Sequence, residues 1–291
     1  MATYRYAQSD KWYRGNTHLH TNASDGGMDA AAAAVLYAEG GYDFLFRTDH
    51  WVDAGQAPAP TDPPLLWLDG VEVDGQDATG AAYHVACLGT VRGLTRDMGF
   101  EAALAAAREQ GALLVLAHPY WTGNNLADAF RHGFDGVEIY NHVCRWLNGK
   151  GDSAFVWEAM LERNPNLLGF AVDDAHLRPE NPVWRGGWVM VNAEACTAAR
   201  IHAALRAGRF YSSRGPTFES IRCADGKVAV RTSPVRFIRL VGPAAVGLRE
   251  WSYEDQLVDS AEFEIPGDWA YTRLELEDER GRRAWTNTLE C

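Results

Sequence analysis

Gly15-Asn16-Thr17-His18-Leu19-His20-Thr21-Asn22-Ala23-Ser24-Asp25-Gly26 is the stretch from which the rest of the chain is read. It predicts a short strand with His18 and His20 at its end. Side chains two residues apart on a strand share a face. The two imidazoles therefore stand side by side and can grip one metal ion, provided other ligands join them. Asp25 follows in a Ser-Asp-Gly-Gly turn that bends the chain out of the strand. An isolated His-x-His also occurs as two ordinary surface histidines, so the reading depends on what the remaining chain supplies.

Working outward, residues 28–39 read as an alanine-rich helix stopped by Gly40-Gly41. Residues 42–48 form an apolar strand with Asp49-His50 at its exit, and 53–64 a Pro/Gly/Ala loop. The next strands are 65–73, carrying Glu72, and 82–89, containing His84. A helix over 100–110 precedes the apolar run 112–117, which His118-Pro119 ends. Strand 133–140 closes near Glu138, Asn141 and His142. Helix 153–163, strand 167–172, the group Asp173-Asp174-Ala175-His176, strand 187–192 and helix 197–207 complete the series. Strands alternating with helices predict an α/β fold with a mainly parallel sheet. Its polar positions gather at the C-terminal strand ends, where α/β barrels place their chemistry.

After about residue 215 the texture changes to short alternating runs (227–231, 235–240, 261–265, 271–276, 284–286) without helical period, which predict a small antiparallel β-domain. The expected organisation is a barrel over 1–215 and an all-β unit over 216–291.

Composition narrows the function. Against 27 basic residues stand 39 acidic ones, a net charge of −12. No Lys/Arg stripe is present to track phosphates, so no nucleic acid polymer is expected as partner. No apolar run reaches membrane-span length, and residues 1–11 lack the apolar core of a signal peptide. The five cysteines, Cys87, Cys144, Cys196, Cys223 and Cys291, are scattered and form no Cys-x-x-Cys. That spacing argues against a disulfide framework and a thiolate metal site. A cytoplasmic protein with no membrane association is the expectation.

The chain holds nine histidines. His18, His20, His50, His84, His118 and His176 fall at or beside predicted strand ends, together with Asp25, Glu72 and Asp174. Polar loops account for aspartates there but poorly for so many imidazoles, because burying them beside carboxylates costs desolvation unless something binds them.

His18-Leu19-His20-Thr21 with Ser24-Asp25-Gly26, Thr48-Asp49-His50, Gly70-Val71-Glu72, His84, Ala117-His118-Pro119 and Asp174-Ala175-His176 resemble, in order and spacing, the motifs of the PHP (polymerase and histidinol phosphatase) superfamily. The likeness runs over residues 15–216. Residues 210–216, 271–275 and 284–287 resemble the tail of its CehA/McbA-like branch, which couples the PHP domain to a small β-domain. The resemblance implies a PHP-type distorted (βα)7 barrel holding two or three divalent metals. One metal would take His18, His20, Glu72 and Asp174; a second would share Glu72 and add His84 and His118; a third would take Asp25, His50 and His176. Asp25 stands where some family members have histidine. Imidazole and carboxylate without thiolate suit Zn, Mn or Fe alike. Three acidic ligands against three divalent ions would leave the pocket at about +3, suited to a small anionic substrate.

His18, His20, Glu72, Asp174 and His176 are the catalytic candidates for metal-assisted hydrolysis, with a bridging water attacking phosphorus or a carbonyl carbon. A phosphoesterase is the leading expectation. A carbamate, ester or amide hydrolase with the same site is the alternative, and a non-catalytic metal- or ligand-binding module a third. Asn141, His142, Arg145 and Arg185 are candidate substrate contacts, as are Arg178 and Arg214. Asp49 and Asp173 are read either as orienting ligating imidazoles or as turn residues. Arg47, where the family usually has an apolar residue, is read as an ion pair with Asp49. Trp121, Trp146 and Trp184 are candidate pocket walls.

Overall fold

A computed structural model describes residues 6, 11–252 and 256–290. The first strand, β1 (Trp12–Asn16), delivers the His18/His20 stretch and leads through a turn into helix α1 (Ala30–Glu39). The helix starts later than the alanine pattern suggests because Asp29 caps it, its side chain accepting from Ala32 N. Strands β2 (Phe44–Arg47), β3 (Leu66–Gln76) and β4 (Ala82–Leu88) follow, then helix α2 (Phe100–Glu109). Phe100, Ala103, Leu104 and Ala107 form the buried stripe of α2, the spacing of an amphipathic helix.

Strand β5 (Leu113–Leu116) leads into the short helices α3 (Pro119–Thr122) and α4 (Leu126–Ala129). Strand β6 (Gly136–Asn141), helices α5 (His142–Asn148) and α6 (Ala154–Leu161), strand β7 (Leu168–Val172), strand β8 (Trp188–Asn192), helix α7 (Ala198–Arg206) and strand β9 (Phe210–Ser213) continue the chain. All four residues of both β2 and β5 are buried, as expected of strands covered on both faces.

The sheet is mixed rather than mainly parallel. The pairs β1–β2, β2–β3, β5–β6 and β6–β7 are parallel, whereas β3–β4, β4–β5, β1–β8 and β8–β9 are antiparallel. At β3–β4 the cause is local. The connecting turn is too short for a crossover, and Asp77 pins it by accepting from Thr79 N and Ala81 N.

The ladders run in one open order from β13 to β7, and among the described residues no ladder pairs β7 with β1, β8 or β9. Instead, side chains seal the free edge of β7. Ser212 Oγ accepts from Ala171 N and donates to Gly169 O, each at 2.8 Å. Asn287 Oδ1 accepts from Gly169 N at 2.9 Å. Beyond the strand ends the chain does bridge: Leu19 pairs with Ala175, His20 N donates to Ala175 O and Asp174 N to His18 O. Those bridges bring the His18/His20 stretch against Asp174.

The C-terminal strands are β10 (Phe218–Ala224), β11 (Lys227–Val235), β12 (Phe237–Val241), β13 (Gly247–Trp251), β14 (Val258–Glu264), β15 (Arg273–Glu277) and β16 (Arg283–Thr286). They are antiparallel, as the alternating runs predict. Strand β16 pairs with β9, so one sheet runs without a break across residue 216. Strands β10, β11 and β14 form a second sheet, and Ile221, Val230, Ile238, Leu240 and Leu274 share one core between the two.

The cysteine expectation is corrected. Cys223 is disulfide-bonded, while Cys87, Cys144 and Cys196 are free thiols; spacing along the chain does not tell which sulfurs a β-fold brings together. Cys291 lies outside the described residues. Arg47 pairs with Asp49 at 3.8 Å, as expected, and its guanidinium also donates to the carbonyls of Ala57, Val52 and Asp53, clamping the loop after His50. Among the described residues no helix is long and apolar enough to cross a membrane.

Candidate metal centre

All nine of the expected ligands except His18 line, or directly border, one cavity of about 240 Å³, and His18 lies immediately beneath it. The core of the site is a quartet. His18 Nε2 and His20 Nε2 are 3.1 Å apart, and each is 3.1–3.3 Å from Glu72 Oε2 and Asp174 Oδ1. His18, His20 and Glu72 are at most 1% exposed and Asp174 4%. His18, His20 and Asp174 bring their ligand atoms within metal-binding reach of one another, and His18 and His118 do the same with Glu72.

The protonation logic favours a cation there. His18 Nδ1 lies 2.6 Å from Glu138 Oε1, and donating to that carboxylate leaves a lone pair on Nε2. Asp174 Oδ1, aimed at the same point, is buried without a hydrogen-bond partner. Lone pairs converging in a buried space repel unless a proton or a metal lies between them. The donor set therefore fits a divalent ion.

Glu72 divides its oxygens. Oε2 belongs to the quartet, while Oε1 is 2.9 Å from His84 Nδ1 and 3.4 Å from His118 Nε2. This carboxylate could serve two cations at once. The outer donors group differently from the partition the resemblance implies. Asp25 Oδ2 is 3.2 Å from His176 Nε2, and Asp25 Oδ1 is 3.3 Å from His20 Nδ1. His50 turns Nδ1 to Asp74 Oδ1 at 3.0 Å and Glu72 Oε2 at 3.3 Å.

Local structure aims these groups. His118 and Asp174 adopt positive φ, 29° and 54°, a conformation costly for non-glycine residues and tolerated where the surroundings enforce it. Gly26 lets the Asp25 turn close over the site, since a Cβ there would stand 2.2 Å from His20 O. Asp49 accepts from Thr21 N, Thr21 Oγ1 and Ser24 Oγ, all at 2.7 Å. It thus holds the turn rather than an imidazole. Asp173 likewise binds no imidazole: it accepts from Asn16, Tyr37 and the backbone of Gly186 and Gly187.

Electrostatics follow from this crowding. Burial alone would depress His18, but Asp174, Glu138 and Glu72 more than reverse it and hold the imidazole well above its ordinary range. His20 is likewise opposed by burial yet pushed up to about 10 by Asp174 and Glu72. Burial would raise Glu72 and Asp174; the imidazoles, His18 first, draw both well below the usual carboxylate range.

The candidate substrate contacts separate. Asn141 is buried and bonded, donating to Glu138 Oε2 and Asp174 Oδ2 while its Oδ1 accepts from Cys144 N. His142 Nδ1 bonds Tyr140 Oη at 2.9 Å. Arg145 and Arg185 are exposed, the latter over the Trp184 ring, and Arg214 lies over Tyr140. The cavity wall itself carries Arg178, Asn181, Trp121 and Leu147. Trp121 meets His84 and His118 edge-on. Trp184 packs on Tyr37. Missed in the sequence were Glu138 and Asp74, acids without a histidine motif around them, and Asn181.

No protein-family model and no curated protein matches this chain. Among solved structures it is similar to a two-domain protein from Bacteroides vulgatus ATCC 8482, described as containing a predicted PHP-like metal-dependent phosphoesterase. Identity is 13% and the TM-score 0.54, with 92% of this chain and 90% of that one covered. That likeness spans both halves and shows a shared fold. Weaker likenesses are to a candidate metal-dependent phosphoesterase from Bifidobacterium adolescentis ATCC 15703 (14% identity, TM-score 0.44, 66% and 96% covered) and an amidohydrolase from Chromobacterium violaceum (15%, 0.43, 67% and 96%).

Proposed function

We propose that this protein is a metal-dependent hydrolase of the PHP type, acting on a small phosphate ester. The observation carrying the reading is the buried quartet of His18, His20, Glu72 and Asp174, in which both carboxylates stand 3.1–3.3 Å from the paired imidazole nitrogens. Divalent ions held there would lower the pKa of water and offset charge on the ester oxygens.

The chain's own residues supply the rest. His84 and His118, across Glu72 from the quartet, provide a second position for a cation. Arg178 on the cavity wall is placed to meet an anionic oxygen, although Asp25 Oδ2 at 3.7 Å competes for it. Burial of the quartet keeps bulk water from the ligands. In the reaction, water adds to phosphorus, the bond from phosphorus to the leaving oxygen breaks, and that oxygen takes up a proton.

The test is a panel of phosphomonoesters and phosphodiesters with Mn²⁺ or Zn²⁺ supplied. Turnover that chelation abolishes is expected. Cleavage of carbamates or carboxylic esters alone would keep the hydrolase and replace the substrate class. Metal bound with no turnover of any ester would leave a binding module.

A further inference from the structure

Glu138 is a buried acid that the ligand set leaves out, and it is 1% exposed. Its Oε1 accepts from His18 Nδ1 at 2.6 Å. Its Oε2 accepts from the His118 backbone N–H and from Asn141 Nδ2, each at 2.9 Å. Asn141 Nδ2 also reaches Asp174 Oδ2 at 3.1 Å. One carboxylate on β6 is thus tied, directly or through one amide, to candidate ligands at the ends of β1, β5 and β7.

No Lys or Arg pairs with Glu138 among the described residues; its single ionic neighbour is His18. An unpaired buried carboxylate is expensive. Here the one ionic neighbour is the His18 ring, whose far nitrogen Nε2 faces Glu72 Oε2 and Asp174 Oδ1. An imidazole that binds a cation through Nε2 and donates Nδ1–H to a carboxylate has its tautomer fixed and its basicity raised.

We infer that Glu138 is the positioning residue of the metal centre. It does not ligate, but it locks His18 in the Nδ1–H tautomer and, through Asn141, keeps His18, His118 and Asp174 in register. The inference rests on the metal reading above and adds to it a residue outside the motifs quoted from this sequence.

Glu138→Gln separates this role from simple filling. Glutamine keeps the size but offers one acceptor oxygen where three donors converge on two. Its amide N–H₂ must then face either the imidazole or the His118 and Asn141 donors. Affinity for Zn²⁺ or Co²⁺, measured by chelator competition on the purified full chain, should fall about 10–100-fold, and the absorption bands of the Co²⁺ form should change. The far-UV spectrum should stay that of the wild type. Unchanged affinity and spectrum in a folded Glu138→Gln protein would overturn the inference while leaving the metal centre standing.

If that variant does not fold, ¹⁵N-histidine spectra of the wild type with Zn²⁺ decide. Protonated Nδ1 and unprotonated Nε2 at His18 are expected, and the opposite tautomer refutes. A wild type that binds neither ion overturns the functional reading and this inference with it.

Discussion

The inner quartet and the outer group around Asp25 are built from the same residue types but held differently. His18, His20, Glu72 and Asp174 are buried, and two backbone hydrogen bonds beyond the ends of β1 and β7 tie the His18/His20 stretch to the Asp174 segment. Asp25 sits on a turn with its side chain 40% exposed, and Arg178 shares its Oδ2 with His176. A cation in the quartet would replace buried lone-pair repulsion. A cation at Asp25 would compete with water and a guanidinium. The difference teaches that tight binding comes from donors that cannot relax apart, more than from the number of donors.

The comparison can be broken most severely at His20, which faces the quartet through Nε2 and Asp25 through Nδ1. His20→Ala should abolish turnover and reduce metal content at both groups, an effect beyond the ~10–100-fold typical of an outer partner. Elemental analysis beside a kinetic assay checks it. Retention of full metal content would mean the two groups do not share this imidazole.

Asp25→Asn should act on the outer group alone. About one equivalent of metal, or none, is expected to be lost, with the quartet's ion retained, as competitive chelation of the variant would measure. Loss of all bound metal would show that the two groups are not independent.

Protons sharpen the same contrast. With His20 raised to about 10 and His18 well above its ordinary value, the metal-free quartet carries protons at pH 7. Metal binding must expel them. Titration calorimetry in buffers of different ionisation enthalpy should therefore report net proton release, and affinity should fall as pH is lowered. Binding enthalpy independent of buffer would contradict this.

The smallest effect is expected away from both groups. Ser212→Ala leaves Ala171 N and Gly169 O on β7 without their partner, at a cost of about 1–3 kcal/mol. Tm should drop by a few degrees with metal content unchanged. A fall in metal content would mean that the sealed edge of β7 also positions Asp174.

The legible parts of the site were those written in short motifs. His18 and His20 share a strand-end face, His118 and Asp174 follow strands whose apolar runs are plain in the sequence, and Glu72 lies within another. Illegible were groups whose partners are far away in the chain. Glu138 meets His18 across 120 residues, and Asn287 meets Gly169 across 118. Arg47 was read toward its neighbour Asp49, which it does meet, but its contacts with the carbonyls of the following loop left no sign.

By itself the sequence determined the residue types available for coordination, the apolar strands that carry them and the antiparallel character of the C-terminal quarter, because periodicity and composition are local properties. Only the tertiary structure decided the mixed pairing of the sheet, its continuity through β9 and β16, the side-chain seal on β7 and the choice of Glu138 to face His18. Those depend on which distant backbones and side chains meet, and hydrogen bonds between remote residues leave no pattern along the chain.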